Sequence, residues 1–338
     1  MKSIFDISNE LCTGCGCCTL ICPQNCITMK RDNEGFYRPY PNENKCIGCS
    51  KCKKVCYKFI TNQDSNIEKS NYYLAYSKNK NIRYNSSSGG IGTEICKFGL
   101  ENNKIVCGVE YDYQSNTARH CKINSIDDLH IIAKSKYMPS YTQEAFSSIE
   151  KNKQYIVFGT PCQIYGLRKY IDEMKMDNLI LVDFFCHGVP SLNAWDKYLD
   201  YLSRMYGIKD IISVDFRDKK NGWHSYNITV KDNLGNVYSK LFKDDIYSNL
   251  FLGNVCLQKS CHNCKFRFNK LYSDIRLGDF WGEKCSNDEK GTSILVASTK
   301  LGNKIIKSLK TIYLEEVKYE DVKQSQYCEE LSVPKERN

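Results

Sequence analysis

The stretch Leu11–Pro23, which reads LCTGCGCCTLICP, decides the fold of the first part of this chain. Its cysteines follow a C-x2-C-x2-C-x3-C-P pattern, and Cys46–Cys56 repeats the same spacing without the final proline. Three thiolates two residues apart can bind one cubic iron-sulfur cluster, and the fourth cysteine of such a run ligates the other cluster. The repeat therefore predicts a bacterial-type ferredoxin module over residues 1–60 with two [4Fe-4S] clusters.

The spacing also predicts which cysteines share a cluster. One cluster is assigned Cys12, Cys15, Cys18 and Cys56, and the other is assigned Cys22, Cys46, Cys49 and Cys52. Gly14, Gly16 and Gly48 let the backbone curl around the sulfurs and direct N–H donors at them. A zinc ribbon is the alternative, but it uses two pairs of ligands rather than two quartets. Cys17 and Cys26 are surplus, and we interpret them as buried thiols.

Composition bounds the class of protein. The chain has 338 residues, of which 41% are hydrophobic, so a larger globular domain should follow the small module. Its longest apolar run, Leu179–Phe185, is far short of the roughly 20 residues of a membrane span, and Met1–Leu11 lacks the apolar core of a signal peptide. We therefore expect a cytoplasmic protein without a membrane span, whose 20 cysteines serve metal or redox chemistry. The net charge of +9 is spread among many acidic residues, which disfavours nucleic-acid binding.

The remaining sequence predicts a linker at 61–71 and one large domain at 72–338. Strand and helix patterns alternate from Tyr72 onward, which predicts an α+β or α/β domain with a mixed, partly parallel sheet. The predicted elements include strands at Tyr72–Tyr76, Ile105–Tyr111, Tyr155–Phe158 and Leu179–Phe185 and helices at Gly90–Leu100 and Leu192–Met205. Segments on either side of Asn233–Asn236 predict an antiparallel hairpin. Ser293–Ser298 is predicted as the last strand, with an amphipathic helix after it.

Six motifs occur in order in this domain. They are SSSGG at 86–90, KSKY at 134–137, GTPCQIYGLR at 159–168, CHGVPS at 186–191, SCHNC at 260–264 and DIRLGDFWG at 274–282. In this order they resemble the family formed by the beta subunits of coenzyme F420-reducing hydrogenases and dehydrogenases. The resemblance covers nearly the whole chain, including the fused ferredoxin module, and it is specific for the family but not for the substrate. It implies a flavin-binding domain that holds FAD, with a further [4Fe-4S] cluster beside the flavin.

Four cysteines of the motifs are the candidate ligands of that third cluster. Cys162 and Cys186 each follow a predicted strand, and Cys261 and Cys264 form a C-x2-C pair. Cys256 is the candidate substitute ligand. Two alternatives remain open, because a cysteine at a strand end is often a small hydrophobic residue and a C-x2-C pair also suits zinc.

The candidate FAD-binding residues come from the same motifs. A Ser/Gly turn before a helix offers N–H groups and a helix dipole to a pyrophosphate. Lys136 can pair with a phosphate, and Tyr137 can pack against a ring. The full set is Ser88, Gly89, Gly90, Lys136, Tyr137, Thr160, His187 and Asp279, with Trp281 as a further residue that shapes the pocket. Ordinary structural roles are the alternative for each of them.

The resemblance implies a flavin-dependent oxidoreductase. FAD would exchange a hydride with a small organic substrate, which is coenzyme F420 in archaeal members, while the clusters would exchange single electrons with a protein partner. The alternative is an electron-transfer subunit of a larger redox complex without turnover of its own. A third hypothesis is a thiol or disulfide reductase that uses Cys96, Cys107 or Cys121. No acid or base residue is identified.

Lysines flank the second cysteine run. They are Lys45, Lys51, Lys53, Lys54 and Lys58, opposed nearby only by Glu43. This lysine collar predicts an acidic ferredoxin- or flavodoxin-like electron carrier as the partner, because opposite charges accelerate encounter. A solvated basic loop without a partner is the alternative.

Overall fold

A computed structural model describes residue 4 and residues 11–59, 67–268 and 270–326. The predicted linker at 61–71 and the start of the chain, Met1–Leu11, lie mostly outside the described residues. Within the described ranges, no helix combines the length and the apolar character that a membrane crossing requires.

The N-terminal module is built from two short helices and one hairpin. Its elements are α1 (Cys17–Leu20), β1 (Ile27–Arg31), β2 (Tyr37–Pro41) and α2 (Lys51–Lys54). β1 and β2 pair antiparallel, from Ile27 opposite Pro41 to Arg31 opposite Tyr37. Gly16 precedes α1 with a φ of +77°, and a Cβ there would lie 2.1 Å from Thr142 Oγ1. Both the left-handed backbone conformation and the lack of space therefore require glycine at this position, where the module contacts the rest of the chain.

The larger domain contains twelve further strands and ten further helices among the described residues. The strands are β3 (Asn71–Ser77), β4 (Ile105–Asp112), β5 (Thr117–Ile123), β6 (Ser140–Tyr141), β7 (Tyr155–Phe158), β8 (Leu179–Phe184), β9 (Ile211–Asp218), β10 (Asn227–Asp232), β11 (Val237–Leu241), β12 (Ile275–Asp279), β13 (Ser293–Ala297) and β14 (Ile312–Val317). The helices are α3 (Lys80–Tyr84), α4 (Ile91–Glu101), α5 (Leu129–Ile132), α6 (Gln143–Ser147), α7 (Pro161–Met174), α8 (Leu192–Tyr206), α9 (Ile246–Leu252), α10 (Lys259–His262), α11 (Lys300–Ser308) and α12 (Tyr319–Ser325).

Nine of these strands form one sheet, in the order β14-β3-β13-β12-β8-β7-β4-β5-β6. The central pairs β12–β8, β8–β7 and β7–β4 are parallel, whereas β12–β13, β13–β3 and β3–β14 are antiparallel. A separate antiparallel sheet has the order β11-β10-β9, and it contains the predicted hairpin as β10 and β11. The predicted mixed α/β architecture with an antiparallel hairpin is confirmed.

The prediction that Ser293–Ser298 is the last strand is wrong. β14 follows α11 and pairs with β3, from Ile312 opposite Ser77 to Val317 opposite Tyr72. As an edge strand, β14 has one neighbour only, and its central residues include Glu315 and Glu316. Polar residues at an exposed edge weaken the apolar alternation from which a strand is predicted. The sequence patterns also missed β1, β2, β5, β6, β9 and β12.

The module and one face of the large sheet share a hydrophobic core. Cys17, Ile21 and Ile27 of the module belong to the same buried cluster as Ile164 and Leu167 of α7. Residues Tyr155 and Val157 of β7 face this core, while the intervening Ile156 faces a second core covered by α4 and α11. The alternation of side chains along β7 thus separates the two layers. The module is docked on the α7 face of the sheet.

Candidate functional site

The first cysteine site consists of Cys12, Cys15, Cys18 and Cys56, which line one cavity of about 150 Å³. Burial raises the pKa of the Cys18 thiol, and the neighbouring Cys15, Cys12 and Cys56 raise it further. The Gly14 N–H donates a hydrogen bond to Cys12 Sγ at 3.4 Å. Backbone donors of this kind stabilise thiolates that bind metal.

The second cysteine site consists of Cys22, Cys46, Cys49 and Cys52, which line another cavity together with Cys26. Burial raises the pKa of Cys52, and the nearby Cys49 and Cys22 contribute to that increase. Each run therefore gives its fourth cysteine to the other site. The cause is chain direction, because Cys22 and Cys56 each follow the end of a short helix, α1 or α2, and leave their own triplet behind.

The third cysteine site consists of Cys162, Cys186, Cys261 and Cys264, carried by three separate segments of the larger domain. Cys162 lies in the first turn of α7, Cys186 follows β8, and the other two lie in and just after α10. Burial raises the pKa of Cys186, and Cys261 and Cys264 raise it further. The pKa of Cys162 is likewise raised by burial and by Cys264 and Cys186, so all four thiols interact. The Val189 N–H donates to Cys261 Sγ at 3.3 Å.

The first and third cysteine sites adjoin. Cys15 of the first site is among the groups that raise the pKa of Cys162 in the third. Between them lies the buried Cys17, whose Sγ is 3.6 Å from the Gln163 carbonyl oxygen of α7. The docking of α1 on α7 thus brings two cysteine sites from different parts of the sequence into direct proximity.

The donor chemistry of all three sites fits iron-sulfur clusters. Each site offers four cysteines, and two of the sites also direct backbone N–H groups at a sulfur. Among the described residues, no three His, Cys, Asp or Glu side chains meet closely enough to hold a single metal ion. The four thiols of the first site line a cavity of about 150 Å³, and those of the second site line a smaller cavity of about 20 Å³.

The two loops with predicted FAD-binding residues contact each other. The Ser135 N–H donates to Ser87 Oγ at 2.9 Å, which joins the turn before α4 to the segment after α5. Gly90 has a φ of +87° at the start of α4. Gly89 has a different reason to be glycine, since a Cβ there would lie 2.7 Å from the Ala75 carbonyl oxygen of the sheet. The Lys136 ammonium group donates to the Ala133 carbonyl oxygen at 2.5 Å.

Four basic side chains lie close together near the Ser/Gly turn: Arg83, Lys134, Arg217 and Lys219. Lys219 Nζ donates to the Ser88 carbonyl oxygen at 2.8 Å, and it also contacts the carbonyl oxygens of Arg83 and Lys290. Burial lowers the pKa of Lys219 to about 7, and repulsion from Arg217, Arg83 and Lys134 contributes. The nearby Asp279 opposes this decrease, and Arg83, Lys134 and Arg217 are each paired with a carboxylate. This group of cations would attract an anion such as a phosphate of FAD.

Arg217 organises the aromatic part of this region. Its guanidinium donates to Asp279 Oδ2 at 3.0 Å and to Tyr137 Oη at 3.3 Å, and its buried Nε atom has no hydrogen-bond partner. The indole of Trp223 also donates to Asp279, and it stacks on Trp281 with the ring centroids 4.5 Å apart. Two predicted residues, Tyr137 and Asp279, are thus joined through an arginine that the sequence patterns missed. In the sequence, Arg217 was indicated only by the alternation of apolar and charged residues over 214–217, a pattern that is typical of a strand.

The other predicted residues lie beside the third cysteine site. Thr160 caps α7, and its Oγ1 is 3.1 Å from Cys162 Sγ. His187 follows Cys186, and its ring nitrogen is 3.2 Å from the Phe251 carbonyl oxygen. Cys256, the candidate substitute ligand, lines a different cavity between Phe36 and Tyr201.

Comparison with known proteins identifies relatives over nearly the whole chain. The model of the 4Fe-4S dicluster domain matches residues 11–60. The models named "Coenzyme F420 hydrogenase/dehydrogenase, beta subunit" match residues 72–147 for the N-terminal part and 152–322 for the C-terminal part. Together these matches show that the cysteine-rich module and the larger domain each resemble a known family.

Two curated relatives and one solved structure are similar to this chain. A subunit of the F(420)H(2) dehydrogenase of Methanosarcina mazei is 24% identical over 289 residues, which is 80% of this chain and 76% of that protein. Coenzyme F420-dependent sulfite reductase of Methanocaldococcus jannaschii is 28% identical over 166 residues, or 48% of this chain and 26% of that protein. A chain of the F420-reducing [NiFe] hydrogenase complex from Methanosarcina barkeri shares the fold, with a TM-score of 0.52 and 16% identity over 75% of this chain and 85% of that chain.

Proposed function

Since this chain belongs to the family of coenzyme F420 hydrogenase/dehydrogenase beta subunits, we propose that it is an oxidoreductase that depends on FAD and [4Fe-4S] clusters. It would pass electrons between a ferredoxin-type carrier and a small organic substrate, for which coenzyme F420 is the candidate. The observation that carries this proposal is the docking of α1 on α7, where Cys17 Sγ lies 3.6 Å from the Gln163 carbonyl oxygen and the first and third cysteine sites adjoin. Bound clusters carry single electrons, and a bound flavin can exchange electrons singly or as a hydride.

The residues of the chain have separate roles in this proposal. The twelve cysteines of the three sites would hold the clusters, and the Gly14 and Val189 N–H groups would stabilise the bound thiolates. Lys219, with Arg83 and Arg217 nearby, would balance the pyrophosphate of FAD, while the contact between Ser87 and Ser135 keeps the two loops together.

Aromatic side chains near these cations would receive a planar ring. Trp281 is 40% exposed, although it stacks on the fully buried Trp223. Tyr137 stacks on Phe251 with the ring centroids 5.0 Å apart, and its hydroxyl group is held by Arg217. Offset stacking on such rings stabilises flat ligands. The region thus offers cations for phosphates and aromatic surfaces for a ring.

We expect oxygen-free preparations of the full chain to contain about twelve irons and matching sulfide per chain, because three four-iron clusters require this number. They should also contain one FAD and reduce or oxidise coenzyme F420. Iron, sulfide and flavin are quantified chemically, and turnover is followed by the absorbance of the coenzyme. Saturation near eight irons would contradict the third cluster, and absence of flavin would contradict the enzymatic proposal.

The variant that tests the third cluster is Cys261→Ala, which removes one thiol of the third cysteine site and leaves the module intact. We expect this variant to saturate near eight irons, since the two sites of the module are unaffected. Unchanged iron content in Cys261→Ala would mean that this cysteine does not hold a cluster.

A second candidate function is an electron-transfer subunit of a larger redox complex. It is favoured by the similarity to a dehydrogenase subunit and to a chain of a hydrogenase complex. The two functions differ in one measurement. The isolated chain turns over coenzyme F420 if it is an enzyme by itself, whereas a subunit regains turnover only when its partners are added.

Thiol or disulfide reduction is disfavoured by burial. Cys96 and Cys107 are buried. Burial raises the pKa of both thiols, and that of Cys96 is raised to about 12. Burial also raises the pKa of Cys121 to about 11. Reactive cysteines have lowered pKa values and accessible sulfurs, so these three thiols lack the required environment.

The lysine collar would be where an acidic carrier docks. Cys49 of the second cysteine site is exposed, and next to it lie the exposed Lys45 and Lys51 and the 64% exposed Ile47. Other lysines of the collar are engaged within the chain. Lys54 forms an ion pair of 2.6 Å with Glu173, and burial lowers the pKa of Lys58 to about 8. The available positive charge is therefore concentrated beside the second cysteine site.

We expect Lys51→Glu combined with Lys53→Glu to slow reduction by an acidic ferredoxin while leaving iron content unchanged. The cause is loss of electrostatic steering, which salt should also weaken because the screening length is only about 8 Å at physiological ionic strength. Stopped-flow reduction over a series of salt concentrations measures both effects. Lys300→Glu with Lys304→Glu, two exposed positions on α11, makes the same charge change elsewhere. If both double variants behave alike and the salt profile is flat, the collar is not the docking surface.

A further inference from the structure

The second cysteine site contains one thiol more than a four-iron cluster needs. Cys26 lines the same cavity as Cys22, Cys46, Cys49 and Cys52. Its side chain is only 5% exposed, and its Sγ lies 3.3 Å from Cys22 Sγ. Burial raises the pKa of Cys26, and the neighbouring Cys22 and Cys46 raise it further. Five cysteines thus converge where four are required.

The backbone holds Cys26 firmly at this cavity. A turn links it to Cys22, in which the Asn25 N–H donates to the Cys22 carbonyl oxygen at 3.1 Å and Asn25 has a φ of +46°. On its other side, the Asn42 N–H donates to the Cys26 carbonyl oxygen at 2.7 Å, and β1 begins at the next residue. The thiol is therefore fixed between a closed turn and a paired strand.

The other surplus cysteine of the module differs in its contacts. Cys17 directs its sulfur at the Gln163 and Cys15 carbonyl oxygens, at 3.6 and 3.8 Å, and it is not among the residues that line the first cavity. Cys17 therefore packs against α7 as a buried thiol, whereas Cys26 faces the space that a cluster would fill.

We propose that Cys26 is a reserve ligand of the second cysteine site that can replace Cys22. This rests on the proposed function, because it requires a [4Fe-4S] cluster in that site. In the exchange, the bond from iron to Cys22 Sγ breaks and a bond to Cys26 Sγ forms. The proton of the Cys26 thiol passes to the departing Cys22 thiolate, and no electron is gained or lost. The sulfur contact of 3.3 Å means that only a small side-chain rotation is needed.

The test compares cysteine variants of the full chain, prepared without oxygen. Cys22→Ala should keep the iron and sulfide content of the wild type, with an altered electron paramagnetic resonance spectrum of the reduced protein because one ligand has changed. Cys26→Ala should keep both the content and the spectrum. The double variant Cys22→Ala with Cys26→Ala should lose about four irons per chain, since neither thiol remains.

Cys49→Ala is the matched control, because Cys49 belongs to the same site but is exposed. We expect this variant to lose iron. The proposal is overturned if Cys22→Ala loses as much iron as Cys49→Ala, or if Cys26→Ala alone loses the cluster. Wild-type protein without iron in the module would instead overturn the proposed function, and both would then fail together.

Discussion

Replacing Arg276 with leucine is expected to release the loop after Cys264 and to remove the iron of the third cysteine site. The guanidinium is wholly buried and donates to both carboxylate oxygens of Asp183, at 2.8 and 2.6 Å. It also donates to three backbone carbonyl oxygens of the loop Phe266–Lys270, at 3.0–3.4 Å. Removal of one member of a buried ion pair costs about 3–5 kcal/mol, which is a large share of a typical unfolding free energy of about 5–15 kcal/mol.

Two measurements describe the Arg276→Leu variant. The denaturant concentration at the midpoint of unfolding should fall, and iron should decrease from about twelve to about eight per chain. Adding Asp183→Leu should restore part of the stability, since no buried charge is then left unpaired. It should not restore the iron, because the carbonyl groups of the loop still lack their donor.

Arg119→Leu provides the comparison with an exposed ion pair. Arg119 Nε lies 2.8 Å from Glu110 Oε1, but its side chain is 47% exposed, so its loss should cost no more than about 1 kcal/mol. If Arg276→Leu were as mild as Arg119→Leu and kept all its iron, the buried pair would not be what holds the third cysteine site.

Local spacing explains why the module could be predicted in detail. The ligands of one triplet lie within seven residues, as in Cys12–Cys18, and the fixed reach of the chain leaves little choice of geometry. The third cysteine site has no such local code, because Cys162, Cys186 and the Cys261–Cys264 pair are far apart in sequence. From the sequence, only the resemblance to a family predicted that these four cysteines share one site.

Residues defined by tertiary packing were beyond the sequence patterns. Arg217 lies in β9 and Lys219 directly follows that strand, which was not predicted, and Lys219 contacts the Ser88 carbonyl oxygen of the Ser/Gly turn. Gly89 was identified from the Ser/Gly turn, but the reason for glycine there is packing, because a Cβ would lie 2.7 Å from the Ala75 carbonyl oxygen of the large sheet. Lys136 stays a predicted phosphate ligand, and its ammonium group donates to the Ala133 carbonyl oxygen of its own loop. Contacts between segments distant in sequence decide the cases of Lys219 and Gly89, whereas the contact of Lys136 lies within one loop.

Replacing Gly166 with alanine is expected to separate the module from α7 and to slow electron transfer into the larger domain. A Cβ at Gly166 would lie 2.5 Å from Cys17 Sγ, 2.8 Å from Cys17 Cβ and 3.5 Å from the Val55 carbonyl oxygen. The two contacts with Cys17 are too short, so α1 must move away from α7, at a cost of about 1–3 kcal/mol. The same movement would increase the separation of the first and third cysteine sites.

The measurement is the rate at which reduced ferredoxin reduces the bound flavin, with iron and flavin content determined on the same samples. Gly166→Ala should lower the rate at unchanged content, and adding Cys17→Gly should restore it by removing the atoms that clash. Gly92→Ala is the matched control, because that helical glycine has its nearest neighbour 3.7 Å from a new Cβ, where alanine fits and favours the helix. If Gly166→Ala transferred electrons as fast as Gly92→Ala, close docking of α1 on α7 would not be the route by which the module serves the larger domain.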